Sequence, residues 1–105
     1  MSRPESITQT DIEKWNLIIS EDPLLSSLPE DFITHPLVKE VMYAGLWLSD
    51  RLIELSCPED IQVRMQYHAG KVSFGRDPWE VHQELLQAYK DNTLIFEPDP
   101  NELLN

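Results

Sequence analysis

After Pro36 the chain meets no second proline until Pro58, and this stretch constrains the fold more than any other. Thr34-His35-Pro36 opens a helix, because proline is favoured in a first turn that has no use for its missing N–H. Nothing breaks the pattern before Cys57-Pro58, so a helix is predicted over residues 36–55, about 30 Å long. Turned at about 100° per residue, it gathers Leu37, Val38, Val41, Met42, Ala44, Gly45, Leu46, Leu48, Leu52, Ile53 and Leu55 on one broad arc. An arc that wide predicts a central helix covered from more than one direction. Gly45 beside Ala44 leaves a shallow spot on it, where another backbone can approach closely.

Two shorter helices flank this element. Thr10 followed three residues later by Glu13 has the form of a capping box, predicting a helix over 11–20 with Ile12, Trp15 and Ile19 on one face. Asp77-Pro78-Trp79-Glu80 opens another over 78–90, with His82, Leu85, Leu86 and Tyr89 as its buried stripe. Between the first two helices, Pro23, Pro29 and the pairs Glu21-Asp22 and Glu30-Asp31 mark turns or single helical turns, pinned by Leu24, Leu25, Leu28 and Phe32.

The segment Ile61-Gln62-Val63-Arg64-Met65-Gln66-Tyr67-His68 alternates apolar and polar residues, the period of a half-buried strand. Ala69-Gly70 would turn it, with Val72 and Phe74 on the return strand. Together with a short strand at 93–97, this predicts an α+β fold: a long central helix, two shorter helices and a two- to three-stranded sheet. The rival is a helix from Ser56-Cys57-Pro58-Glu59-Asp60 to Gly70, which makes the protein mostly α. That helix sets Ile61 and Met65 opposite Val63 and Tyr67, a poor amphipath, so the hairpin is the adopted expectation.

At 105 residues the chain supports one hydrophobic core, and residues 1–105 are expected to form a single acidic domain whose ends are free to flex. Eight Lys and Arg against nineteen Asp and Glu give a net charge of −11, which repels phosphate backbones and argues against nucleic-acid binding. Residues 1–35 and 76–105 each carry −5 and the middle −1, so acidic ends that meet would concentrate the field on a cation or a basic partner. Cys57 is the only cysteine, which excludes an intrachain disulfide and a paired-cysteine zinc site. No apolar run has the length of a signal peptide core or a membrane span, so a reducing cytoplasmic location without membrane insertion is expected.

The candidate partner site is Tyr43, Trp47 and Arg51. These lie one helical turn apart on the side of the long helix shared with Lys39, Glu40, Asp50 and Glu54, and Arg51 can cap the ring of Trp47. Trp, Tyr and Arg dominate binding hot spots, so this face is expected to take a protein partner or a second copy. Homodimerisation through the broad apolar arc is an alternative. For metal, Glu97, Asp99 and Glu102 set oxygen ligands near the end of the sequence and suggest weak surface binding of calcium. They are not an EF-hand, because Glu102 stands where that loop needs glycine.

Catalytic signals are few. His82 falls within an apolar stripe, as a core histidine does, and the three histidines share no ligand spacing. Cys57 precedes a possible helix start, but Glu59 and Asp60 oppose a thiolate there. Glycines at 45, 70 and 75 form no phosphate loop, and no serine occupies a nucleophile elbow. The expectation is a non-catalytic interaction module, with surface calcium binding as the alternative.

Overall fold

The structure, a computed structural model, describes residues 3–94. They form six helices: α1 (Gln9–Glu21), α2 (Pro23–Ser26), α3 (Glu30–Ile33), α4 (Pro36–Glu54), α5 (Glu59–Ser73) and α6 (Pro78–Lys90). No strand occurs among the described residues, so the α+β expectation is corrected to an all-helical globule. α4 is the central element. It packs against α1, α3, α5 and α6, while α5 and α6 also pack on each other.

The predicted hairpin at 61–75 is α5. Helical geometry sorts its apparent alternation into two faces. Met65, Ala69 and Ser73, one turn apart, are buried, with Ile61 half-buried in line with them. Val63 and Tyr67 point outward, 61% and 72% exposed. A hairpin here would be a small two-stranded unit of marginal stability, whereas the helix lays the small side chains of Ala69 and Ser73 against the core. The polar positions are satisfied as well: Gln62 Nε2 donates to Cys57 O at 2.8 Å and Gln66 Nε2 to Gly45 O at 2.7 Å. Gly70 takes a helical rather than a left-handed conformation, so Ala69-Gly70 makes no hairpin turn.

The predicted strand at 93–97 is also corrected where it can be seen. Thr93 and Leu94 have no regular structure, and the rest of it lies outside the described residues. Asn92 adopts φ 58° and ends α6 in a Schellman motif, with its N–H donating to Tyr89 O at 3.2 Å and that of Thr93 to Ala88 O at 2.9 Å. Leu94 then folds back onto the core. Ser56, at φ 55°, closes α4 in the same way: its N–H donates to Ile53 O and that of Cys57 to Leu52 O, both at 3.0 Å.

The helix starts follow capping chemistry. The Asp77 carboxylate accepts from Trp79 N–H at 3.0 Å, and His35 Nδ1 accepts from Leu37 N–H at 3.2 Å at the head of α4. α1 begins two residues before the predicted box. Thr8 and Asp11 are the reciprocal pair, with Thr8 N–H donating to the Asp11 carboxylate at 2.9 Å and Asp11 N–H to the Thr8 hydroxyl at 3.3 Å. These hydrogen bonds stabilise the charged carboxylate and hold the Asp11 carboxyl below its ordinary value.

The core is built on aromatic rings from three helices. Trp15 of α1 stacks on Tyr43 of α4 at 6.0 Å, and Trp79 of α6 meets Trp15 at 6.3 Å and the edge of Trp47 at 6.2 Å. Ala44, Leu48, Leu52, Met65 and Leu86 fill the space beside them. The Trp79 indole N–H donates to Glu40, which also pairs with Arg3, and the Arg3 guanidinium lies over the Trp79 ring. Among the described residues no helix is long and apolar enough to cross a membrane.

Candidate docking groove

One strip of α4 carries Met42, Leu46 and Ser49, each half-buried, and exposed Ile53, each about one turn after the last. Gly45 lies within it. Over this strip opens a depression of about 300 Å³. Its floor is Met42, Gly45, Leu46 and Ser49; Ile19 and Leu25 form the wall toward α1 and α2, and Gln66 the wall toward α5. The missing side chain at Gly45 is what makes the floor low. A Cβ there would come within 3.2 Å of Gln66 Oε1, so the glycine allows the Gln66 amide to reach the Gly45 carbonyl. The shallow spot predicted at Gly45 is present, and the group that approaches it is a side-chain amide rather than another backbone.

Large exposed apolar side chains stand near the lining residues in the chain. Ile18 and Leu24 are exposed beside Ile19 and Leu25, and Ile53 continues the α4 strip at 62% exposure. Val63 and Tyr67 stand outward next to Gln66 on α5. The charged residues near the lining in the chain are mainly acidic, with Lys39, one turn before Met42, a base among them. Glu21 and Asp22 sit at the corner between the two segments that supply Ile19 and Leu25, Asp50 follows Ser49, and Glu59 lies two turns before Gln66 on its face of α5. Asp50 lies 4.0 Å from Lys14, a solvent-exposed ion pair.

The aromatic pair expected to form the partner site lies on a different face of α4, about a third of a turn round. Tyr43 and Trp47 are both buried among Trp15 and Trp79, and Tyr43 donates its hydroxyl hydrogen to Asn16 Oδ1 at 2.6 Å. They form no exposed patch. Arg51 is at the surface, paired with Glu54 at 3.2 Å. The cation over a ring in this core is Arg3 on Trp79. The helical wheel had set Tyr43 and Trp47 on the polar side because of their neighbours. α1 and α6 cover that side, and two of those neighbours serve the covering: Glu40 accepts from Trp79, and Lys39 Nζ reaches Asn16 Oδ1 at 3.4 Å. The depression lies on part of the broad apolar arc. Its signal in the sequence was Gly45, together with an apolar arc wider than the neighbouring helices cover.

Glu97, Asp99 and Glu102 lie outside the described residues. Among the described residues no group of three or more His, Cys, Asp or Glu side chains is placed to hold a metal ion. His82 is 1% exposed, with Nδ1 at 2.6 Å from Pro78 O. Since a carbonyl only accepts, Nδ1 carries the proton. Desolvation lowers the His82 pKa, against a smaller opposing effect of that hydrogen bond. Cys57 is buried too, and the Tyr89 hydroxyl bonded to it titrates above its ordinary value, chiefly because of that hydrogen bond. Comparison with models of known protein families, with curated proteins and with solved structures gave no match.

Proposed function

We propose that this protein is a non-catalytic interaction module that binds a protein partner in the groove along α4. The observation that carries the reading is the groove itself: an apolar floor at Met42, Gly45 and Leu46, with exposed Leu24, Ile53, Val63 and Tyr67 near the lining residues, on a chain of net charge −11. Isolated exposed hydrophobic residues are ordinary on soluble proteins, but several of them beside an apolar concavity favour a contact surface. Helix-in-groove recognition uses this kind of surface, with anchors spaced at one and two turns. The site thus moves from the Tyr43 and Trp47 face to a neighbouring face of the same helix.

Site-directed photo-crosslinking in cells tests this reading. A benzophenone amino acid replacing Ser49, at the edge of the floor, is expected to give discrete covalent adducts with another polypeptide. The same group at Lys90, at the end of α6, serves as the control and should not give them. Adducts of the same pattern at both positions, or none at Ser49, would overturn the reading.

A further inference from the structure

Resting on the reading of the α4 groove as a protein-binding site, we infer that its occupant is a cationic amphipathic helix about three turns long, supplied by a partner protein. The dimensions come from the strip. Met42 to Ile53 spans eleven steps of helix, about 17 Å, and an antiparallel or parallel ligand helix of matching length presents apolar residues at i, i+3 or i+4, and i+7. Gly45 lies at the middle of the strip beside the Gln66 amide that bonds its carbonyl, with Leu46 and Met42 on one side and Ser49 on the other.

Charge selects among the occupants. The acids nearest the lining in the chain are Glu21, Asp22, Asp50 and Glu59; the bases are Lys39, which reaches Asn16, and Lys14, which pairs with Asp50. A second copy of this chain would bring another −11 toward those acids. The chain's own residues 95–105 contain Glu97, Asp99 and Glu102 and no base, so as an occupant they would meet the same repulsion. A helix with lysines or arginines flanking its apolar stripe meets the acids while the stripe fills the groove. Electrostatic complementarity of this kind excludes wrong partners and speeds encounter, while the apolar contact holds the complex.

Three synthetic peptides of about 14 residues test the inference on the full chain. The first carries leucines at helical anchor spacing with lysines elsewhere. The second keeps the leucines and replaces lysine by glutamate, and the third has the first peptide's composition in scrambled order. Binding is read by fluorescence anisotropy and by the gain in helical circular dichroism. The lysine amphipath is expected to bind at least about tenfold more tightly than either control, to gain helix on binding, and to weaken as salt rises. Ser49→Arg and Glu21→Lys, both outside the buried core, should each weaken it; their unfolding midpoints verify that the fold is kept.

Equal binding of the glutamate peptide would overturn the charge class while leaving the groove reading intact. Equal binding of the scrambled peptide would reduce the effect to diffuse charge and overturn the inference. Binding insensitive to both Ser49→Arg and Glu21→Lys would move the contact off the groove, and no binding of any peptide would also overturn it. In that last case the crosslinking at Ser49 decides separately whether the groove has any protein occupant.

Discussion

Truncating Met65 and Val63 to alanine, one at a time, separates the helix at 59–73 from the hairpin that the alternating pattern suggests. In the helix Met65 is fully buried against the core and Val63 is 61% exposed. Met65→Ala then loses a buried side chain and leaves a cavity, at a cost of about 3 kcal/mol. Val63→Ala removes two carbons worth about 1.6 kcal/mol if fully buried. With some two-fifths of the residue hidden, the loss is about 0.6 kcal/mol, and the better helix propensity of alanine returns about as much. The expected net change at Val63 is within about 0.5 kcal/mol of zero.

In a hairpin the two residues share a face, and both truncations would cost similar amounts. Urea unfolding followed by tryptophan fluorescence reads the difference, since Trp15, Trp47 and Trp79 are all in the core. With a slope near 1.5 kcal/mol/M, Met65→Ala should lower the midpoint by about 2 M and Val63→Ala should leave it almost unmoved. Comparable losses at the two positions, or an unchanged midpoint for Met65→Ala, would refute the helical assignment.

Further expectations follow from local geometry. Ser56 holds φ 55° at the end of α4, so Ser56→Gly should stabilise the protein by about 1 kcal/mol, seen as a rise of several degrees in Tm. A fall in Tm would show that the Schellman closure is not formed by this residue. The pKa of His82 is lower in the folded protein than its ordinary 6.5, so the folded state binds fewer protons than the unfolded state on the acid side of neutrality. The stabilisation from neutral His82 is complete above the unfolded pKa and is lost as pH falls below it toward the depressed folded value. Unfolding midpoints should therefore drop as pH falls through and below the ordinary value of 6.5, and His82→Gln should flatten that slope. An unchanged slope would reassign the effect to other groups; Asp11, with its own lowered value, acts in the more acidic carboxylate range. Cys57 is buried, so native protein should react slowly with an aromatic disulfide reagent and unfolded protein quickly. Fast native labelling would contradict the closed α4–α5 corner.

What could be read in advance depended on whether the signal was local. α6 runs from Pro78 to Lys90 as expected, because Asp77, Pro78 and the buried stripe each act within the helix. α4 was legible for the same reason, through Pro36 at its head and the absence of a breaker before Cys57. α5 was not, because alternation at Ile61, Val63, Met65 and Tyr67 is compatible with a helix once half of those residues are left in water. Only packing against α4 and α6 decides which half.

The burial of Tyr43 and Trp47 was hidden for a related reason. Polar neighbours marked their side of α4 as solvent-facing, while its coverage depends on Trp15 and Asn16 from α1 and Trp79 from α6, residues distant in the chain. Gly45 announced a notch from its lack of a side chain alone. The walls around it, from Ile19, Leu25 and Gln66, required the folded chain.

The groove along α4 is tested most directly by amide chemical-shift mapping of the full chain during titration with the lysine amphipath. Saturable shifts centred on Gly45, Leu46, Ser49 and Gln66, spreading to Ile19 and Leu25, are the predicted result. Shifts centred on the outer face of α6, or spread evenly over the acidic residues without saturation, would contradict the groove as the proposed binding site.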